Sequence, residues 1–312
     1  MKLGEAPAPE LQPGSIRIRV AATAVNRADL LQRQGLYPMP PGASPILGLE
    51  CAGEVAEVAP EVVSWRVGDR AMALLPGGGY AGEVVVPAGC AMQVPERLSL
   101  EEAAGVSEVF LTVFLNVFQL AALHDGGSAL VHGGGSGIGT TAIQLVKAAG
   151  GSIIVTAGSA SKCDRCVELG ADRAVNYRDE DFVEAVRKQT DGRGVDVVLD
   201  SIGAPYLDKN LSALVVGGRL VLIGLMGGSK SQIALAPILV RHLHLIGSTM
   251  RSRSVEAKAA TVAGFEARFG ADLAEGKIRP VIDRILSLAE APEAHRAVAA
   301  SEHFGKLILR VS

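Results

Sequence analysis

The sequence has no run of Lys or Arg, no cluster of His with Cys, and only four cysteines in 312 residues. Without a basic run, and with a formal net charge of −3, nothing draws the chain to nucleic acid or to an anionic membrane surface. Cysteines at 51, 90, 163 and 166 are too few for a disulfide framework at this length, and point to a reducing, cytoplasmic setting. Cys163-x-x-Cys166 has zinc-like spacing but no second pair, so small core residues on one helix face are expected, and no metal. His242 and His244 are expected on one side of a strand, again without partners, and no Gly-x-Ser-x-Gly elbow is present. The first fourteen residues, MKLGEAPAPELQPG, lack the apolar core of a signal peptide. Residues 103–123, AAGVSEVFLTVFLNVFQLAAL, are long enough to cross a bilayer but carry Glu108, Asn116 and Gln119, so a buried helix in a soluble protein is expected. Charge is also scarce: 20% of residues, against about 25% in an average domain, with 48% apolar, which implies extra burial in parallel sheets or an oligomer interface.

What is present divides into two grammars. Residues 15–100 read as short strands and turns, with SIRIRVAATAV, GEVAEVA and GEVVVP punctuated by Gly and Pro. Beyond Glu101, six short β-branched runs (SALVH, SIIVTA, RAVNY, VDVVLDSI, GRLVLIG, LHLIGST) alternate with helical patterns such as IGTTAIQLVKAAG and DEDFVEAVRKQ. Strands that alternate with amphipathic helices predict an α/β fold: a parallel, doubly wound, six-stranded Rossmann sheet over residues 105–250. After Arg251, PVIDRIL and GKLILRV are expected to rejoin the first, mostly β domain, so that residues 1–104 and 251–312 form one body with the sheet inserted.

Between SALVH and the helix at Gly137 lies HGGGSGIG, a strand–glycine turn–helix that suits a phosphate. Gly134, Ser136, Gly137, Ile138 and Gly139 are the candidate pyrophosphate contacts; Gly137-x-Gly139-x-x-Ala142 fits one register of the fingerprint and Gly134-x-Ser136-x-x-Gly139 nearly fits another. An NAD site usually places Asp or Glu about twenty residues on, to bind the ribose 2′-hydroxyl. Here the second strand ends in Thr156, Ala157, Gly158 and Ser159, with Lys162 close behind and Tyr177 at the end of the third strand. Small residues leave room for a 2′-phosphate, and Ser159, Lys162 and Tyr177 can donate to it, so NADP(H) is the expected cofactor. Asp200–Gly203, with Ile202, and Gly224–Gly227, with Leu225 and Met226, end the fourth and fifth strands, where backbone is expected to line the nicotinamide half.

Beyond these signals, nearly the whole chain resembles the zinc-independent quinone oxidoreductases of the medium-chain dehydrogenase/reductase superfamily, the p53-inducible group above all. The likeness rests on AVNRADLLQRQGLYPMPPGASPILGLECAGEV (24–55), VGDRAMALLPGGGYAGEVVVP (67–87), SEVFLTVF (107–114), the glycine turn, VNY, LIGLMGG (222–228), MRSR (250–253) and GKLIL. The resemblance implies a GroES-like substrate domain around the Rossmann domain. Zinc-dependent relatives keep a catalytic Cys where this chain has Asn26–Asp29, and a Gly-His-Glu where it has Gly48-Leu49-Glu50; the lobe that holds a structural zinc is absent too. It therefore implies metal-free, NADPH-dependent reduction of a quinone, with an alkenal or enone as the alternative acceptor. A weakly active NADPH-binding protein is the alternative of another class. By resemblance Asn26 and Tyr37 are the catalytic donors to the acceptor oxygen, Asn26 and Thr112 also lie by the cofactor, and Lys306 lies in a segment that returns over it, a surface place beside the last strand being its other reading. Glu108 is expected to be structural. LHLIGS resembles the strand that pairs two subunits into a homodimer, and relatives begin with about fifteen more residues, whose loss would leave a strand unpaired or re-paired.

Overall fold

The structure is a computed structural model and describes residues 1–311. Two compact units emerge, one from residues 1–111 together with the chain from Met250 onward, the other from Thr112–Thr249. The first division falls at 111/112 rather than 104/105, because the backbone N–H of Glu108 is held by the carboxylate of Glu50, in the first unit.

In the first unit, β1 (Ser15–Val25), β2 (Glu50–Val58), β3 (Arg70–Leu74), β4 (Glu83–Pro87) and β5 (Ala91–Gln93) are antiparallel neighbours. Alternating burial along the start of β1 puts Ile16, Ile18 and Val20 into a core with Val55, Trp65 and Val86. In the second unit the chain runs through β6 (Ser128–His132), β7 (Ser152–Ala157), β8 (Arg173–Asn176), β9 (Val195–Asp200), β10 (Leu214–Leu222) and β11 (His244–Gly247). All five pairings are parallel, in the order β11-β10-β9-β6-β7-β8, the doubly wound arrangement. Leu130, Ile154, Val175 and Val198, all buried, make the sheet's near-continuous apolar centre.

The chain then returns to the first unit with a helix over Val255–Glu275, β12 (Ile282–Ser287), a helix over Ala291–Ala300 and β13 (Lys306–Arg310). β13 lies between β12, parallel, and β1, antiparallel, giving the order β12-β13-β1-β2-β3-β5 with β4 on β1. β1 thus has three strand partners. Leu307 and Leu309 pack with Ala294, Ala297 and Val298 of the neighbouring helix, so Lys306 faces the other way.

Two local expectations change. The apolar run at 103–123 does not form one long helix: Ser107–Val113 is α-helical and Phe114–Leu120 widens into π-helical turns. Among the described residues no helix is long and apolar enough to cross a membrane. His242 lies outside the last strand, in a turn with φ +51°, so it does not share a strand face with His244.

Candidate functional site

In the second unit, β6 ends at His132 and the helix Gly137–Ala148 begins five residues later. The turn between them is tight. A side chain on Gly139 would run into Gly133 O and the backbone of Gly134, so only glycine lets the helix start here. Ser136 caps the helix, its Oγ accepting from Gly139 N at 3.0 Å. Ser159 does the same for the helix Ala160–Glu168, accepting from Lys162 N at 3.3 Å. In both caps the oxygen uses a lone pair, which leaves the hydroxyl hydrogen to donate to a phosphate. These are two helix starts at the carboxyl ends of adjacent parallel strands, the place where backbone dipoles favour an anion.

The end of β7 is a ledge of small residues without an acid. Thr156 and Ala157 are buried, while Gly158, Ser159 and Lys162 are half-buried. A Cβ on Gly158 would sit 2.7 Å from Tyr177 Oη, so the phenol lies directly over the glycine. The sheet thus gathers Gly158, Ser159, Lys162 and Tyr177 at one edge, without an acid among them. Thr156, by contrast, turns inward: its Oγ1 lies 3.1 Å from His132 Nδ1. His132 Nε2 is 2.7 Å from Asn210 Oδ1, Asn210 Nδ2 donates to Asp200 at 3.0 Å, and Asp200 accepts from Ile202 N at 2.6 Å and Gly203 N at 3.2 Å. That buried chain shapes the loop carrying Ile202. Gly227 N donates to Ile202 O at 2.7 Å and Met226 N to Ser201 O at 3.1 Å, which lays the Gly224–Met226 loop beside it, with Leu225 and Met226 exposed. A dinucleotide fits these residues: the cradle is glycine where a Cβ would fill it, and its rim carries the Ser136 and Ser159 hydroxyls, Lys162 and the Tyr177 phenol. Thr112 is half-buried, and its carbonyl accepts from Asn116 Nδ2 at 2.7 Å.

Cys166 packs beneath the turn, 2.9 Å from where a Cβ of Gly134 would be, and burial pushes its thiol up to about 12. It is an inert core residue, as are the other three buried, unpaired cysteines.

The first unit holds a second polar cluster. Asn26 directly follows β1, Glu50 opens β2 and Lys306 opens β13; because Cys51 pairs with Thr23 and Leu307 with Val25, the three side chains meet at one end of adjacent strands. Lys306 Nζ donates to Asn26 Oδ1 at 2.6 Å and to Glu50 Oε1 at 2.8 Å, and lies 3.4 Å from Val25 O. Asn26 Nδ2 donates to the same Glu50 Oε1 at 2.9 Å, closing a ring. Glu50 is fully buried and Lys306 is 3% exposed, so each charge depends on the other.

Around the ring lie further acids. Asp29 accepts from Asn26 N at 2.8 Å and Gly48 N at 3.0 Å, yet burial pushes it up to about 6. Glu108 is lifted to about 8, first by burial and then by the nearby Glu50 carboxylate. Tyr80 Oη stands 3.1 Å from His295 Nε2 and 3.5 Å from Asp29 Oδ2. Tyr37, half-buried, lines a hollow of about 320 Å³ with Gln32, Met39 and Leu47. The Arg251 guanidinium stacks 5.1 Å from its ring, donates to its carbonyl at 3.3 Å and to Pro76 O at 2.8 Å. Burial pushes the Tyr37 phenol up to about 12, with Glu108 adding to the rise, so it stays protonated.

Measured against expectation, Asn26 and Tyr37 lie in one unit with Lys306, and the glycine turn, Ser159, Lys162, Tyr177, Ile202 and Gly224–Met226 share the strand ends of the other. Lys306 does not sit at the surface: it is 3% exposed, and its ammonium lies against Val25 O, Asn26 Oδ1 and Glu50 Oε1. Leu49, where a zinc ligand would stand, is 2% exposed and apolar. Among the described residues no group of three His, Cys, Asp or Glu could hold a metal. Sequence reading missed Glu50, Asp29, Arg251 and the His132–Asn210–Asp200 chain. The one available signal was an acid, Glu50, placed before the small, apolar Cys-Ala-Gly start of a strand whose other acids, Glu54 and Glu57, come later.

Comparison with known proteins agrees with this architecture. Residues 12–96 match the alcohol dehydrogenase GroES-like domain and residues 137–263 the zinc-binding dehydrogenase family. Over 300 residues, 96% of this chain, it is 34% identical to a mycocerosic acid synthase-like polyketide synthase of Mycobacterium tuberculosis, spanning 14% of that protein's length. A solved NAD-dependent alcohol dehydrogenase is 31% identical, with a TM-score of 0.85 over 100% of this chain and 96% of that one. Escherichia coli quinone oxidoreductase, solved with NADPH, is 27% identical with a TM-score of 0.86 over 99% of this chain and 95% of that one. The chain belongs to the medium-chain dehydrogenase/reductase superfamily of oxidoreductases.

Proposed function

We propose that this protein uses NADPH to reduce a quinone, without a metal. The observation that carries the reading is the Asn26 amide, fixed by Lys306 and Glu50 so that one Nδ2 hydrogen is left over; in the same unit the Tyr37 phenol keeps its proton. When bound, the reduced nicotinamide supplies a hydride from C4, which an electrophilic quinone accepts without Lewis-acid help. The protein's own work is to place donors where charge builds on the acceptor oxygen. Asn26 Nδ2 and the Tyr37 hydroxyl take that role. The hydroquinonate so stabilised takes its proton from water. In the other unit, the turn at Gly134–Gly139 receives the pyrophosphate, while Ser159, Lys162 and Tyr177 hold the 2′-phosphate. Glycine and serine at the ledge, in place of an acid, support NADPH over NADH, as does the NADPH bound by the E. coli relative.

Reduction of an enone or enoyl group is the second reading, favoured by the identity to the polyketide synthase. The two differ only in the acceptor. For the assembly, β11 at the sheet edge, with Leu239 76% and Val240 72% exposed just before it, supports a homodimer.

The deciding experiment is steady-state oxidation of NADPH and NADH with an ortho-quinone, a para-quinone and an enone. Fast turnover with a quinone supports the first reading, and turnover with the enone alone the second. Tight NADPH binding with no turnover of any acceptor overturns both, and leaves a binding protein.

A further inference from the structure

Buried ion pairs are costly to build, and replacing one with apolar side chains is often neutral or stabilising. The Lys306–Glu50 pair is therefore a poor choice if stability were its only purpose. It is also not an isolated pair, because both charged groups are bonded to the same amide.

The ring removes an ambiguity that an amide otherwise has. The ammonium can only donate, so Oδ1 of Asn26 must face it; Glu50 Oε1 can only accept, so Nδ2 must face that. Any 180° flip of the amide would set Nδ2 against the ammonium and Oδ1 against the carboxylate. Charge at both ends also polarises the amide, since a 2.6 Å charge-assisted bond at Oδ1 draws density away from Nδ2. Meanwhile Asn26 N is bonded to Asp29 and Asn26 O receives Asp29 N at 3.0 Å, so the backbone beneath the amide is held as well.

We infer that Lys306 is a positioning residue for reduction: its ammonium, countered by Glu50, locks and polarises the Asn26 amide so that the second Nδ2 hydrogen donates to the acceptor oxygen. Lys306 touches neither acceptor nor cofactor. The inference rests on the reading of Asn26 as that donor.

Three substitutions test it through a double-mutant cycle, with NADPH affinity followed by fluorescence and stability by thermal unfolding. Asn26→Ala should lower kcat at saturating NADPH on the order of 100-fold, the usual loss for one oxyanion donor. Lys306→Met combined with Glu50→Gln removes both charges together, so the fold is not left with a lone buried carboxylate. This double variant should keep its Tm near that of the parent and lose on the order of 10-fold to 100-fold in kcat, with KM for the acceptor little changed. Added to Asn26→Ala, the same pair of changes should cost nothing further. If Asn26→Ala leaves kcat intact, the reading of Asn26 fails. If Asn26→Ala is slow but the charge-free pair runs at the parent rate, or lowers kcat equally with and without Asn26, the role assigned to Lys306 is overturned while that of Asn26 stands.

Discussion

His132 Nε2 and Asn210 Oδ1 lie 2.7 Å apart in the buried interior of the second unit, with Asn210 in turn donating to Asp200. Because the Asp200 carboxylate fixes the Asn210 amide, Oδ1 faces the imidazole and Nε2 carries the ring proton. Nδ1 is then a bare acceptor for Thr156. A second proton has no place, and burial pulls His132 down to about 4; His295, buried in the first unit, is likewise pulled down to about 4.

Acid should therefore unfold the protein early. The unfolded chain takes up protons near pH 6.5 that the folded chain refuses until about 4, so this stability is complete above 6.5 and drains away as pH falls toward 4. Each histidine contributes up to about 3 kcal/mol. Urea unfolding at pH 7 and pH 5 measures the slope, and His132→Gln should flatten it even though it also loses ring packing against Phe182 and Tyr206. An unchanged slope would be evidence against a neutral buried His132.

Glu108 imposes the opposite dependence. Its folded value, about 8, lies above the ordinary 4.5, so the folded chain holds a proton that the unfolded chain has released. Stability is lost as pH rises from 4.5 to 8. Glu108→Gln should raise the Tm at pH 9 by several degrees, a gain of about 2 kcal/mol, and change little at pH 5. Equal effects at both values would refute the protonated carboxyl.

For the cofactor, Lys162→Ala should weaken NADPH about 10-fold to 100-fold, as expected for one charge-assisted phosphate contact, and NADH less than about threefold. Titration of intrinsic fluorescence with each nucleotide gives the ratio. Equal losses would place the 2′-phosphate elsewhere.

Gly158→Ala probes the same ledge sterically. The new methyl would press on Tyr177 Oη, so the phenol must swing away. NADPH binding should fall about tenfold, a loss of about 1.4 kcal/mol, and Tyr177→Phe in the Gly158→Ala background should add nothing. An additive loss would mean that Tyr177 acts independently of that geometry.

Much of this fold is legible in local pattern. The six β-branched runs became β6 to β11 within a few residues, since fully buried parallel strands carry their apolar signal in each residue. The return of PVIDRIL and GKLILRV to the first sheet was readable from the change of grammar after Arg251. The site was harder. The glycine turn has a local signature, and Ser159 and Lys162 follow it at fixed spacing. Lys306 has none, because its partners are 280 and 256 residues away and only strand register brings them together. A lysine at the start of a terminal strand reads as surface until its neighbours are known. The widened helix at Phe114–Leu120 was equally hidden, since π-helical turns follow no distinctive apolar period.

The placement of β13 has a temporal consequence. Synthesis lays down β1, Asn26 and Glu50 first, and Lys306 emerges only after the entire second unit has been made. Until then the Glu50 carboxylate lacks its counter-charge, and burying it would cost several kcal/mol. The first unit is thus a lock whose key is cut last. A nascent chain can mature its inserted Rossmann unit first, but the ring of Asn26, Glu50 and Lys306 closes only when β13 slides between β1 and β12.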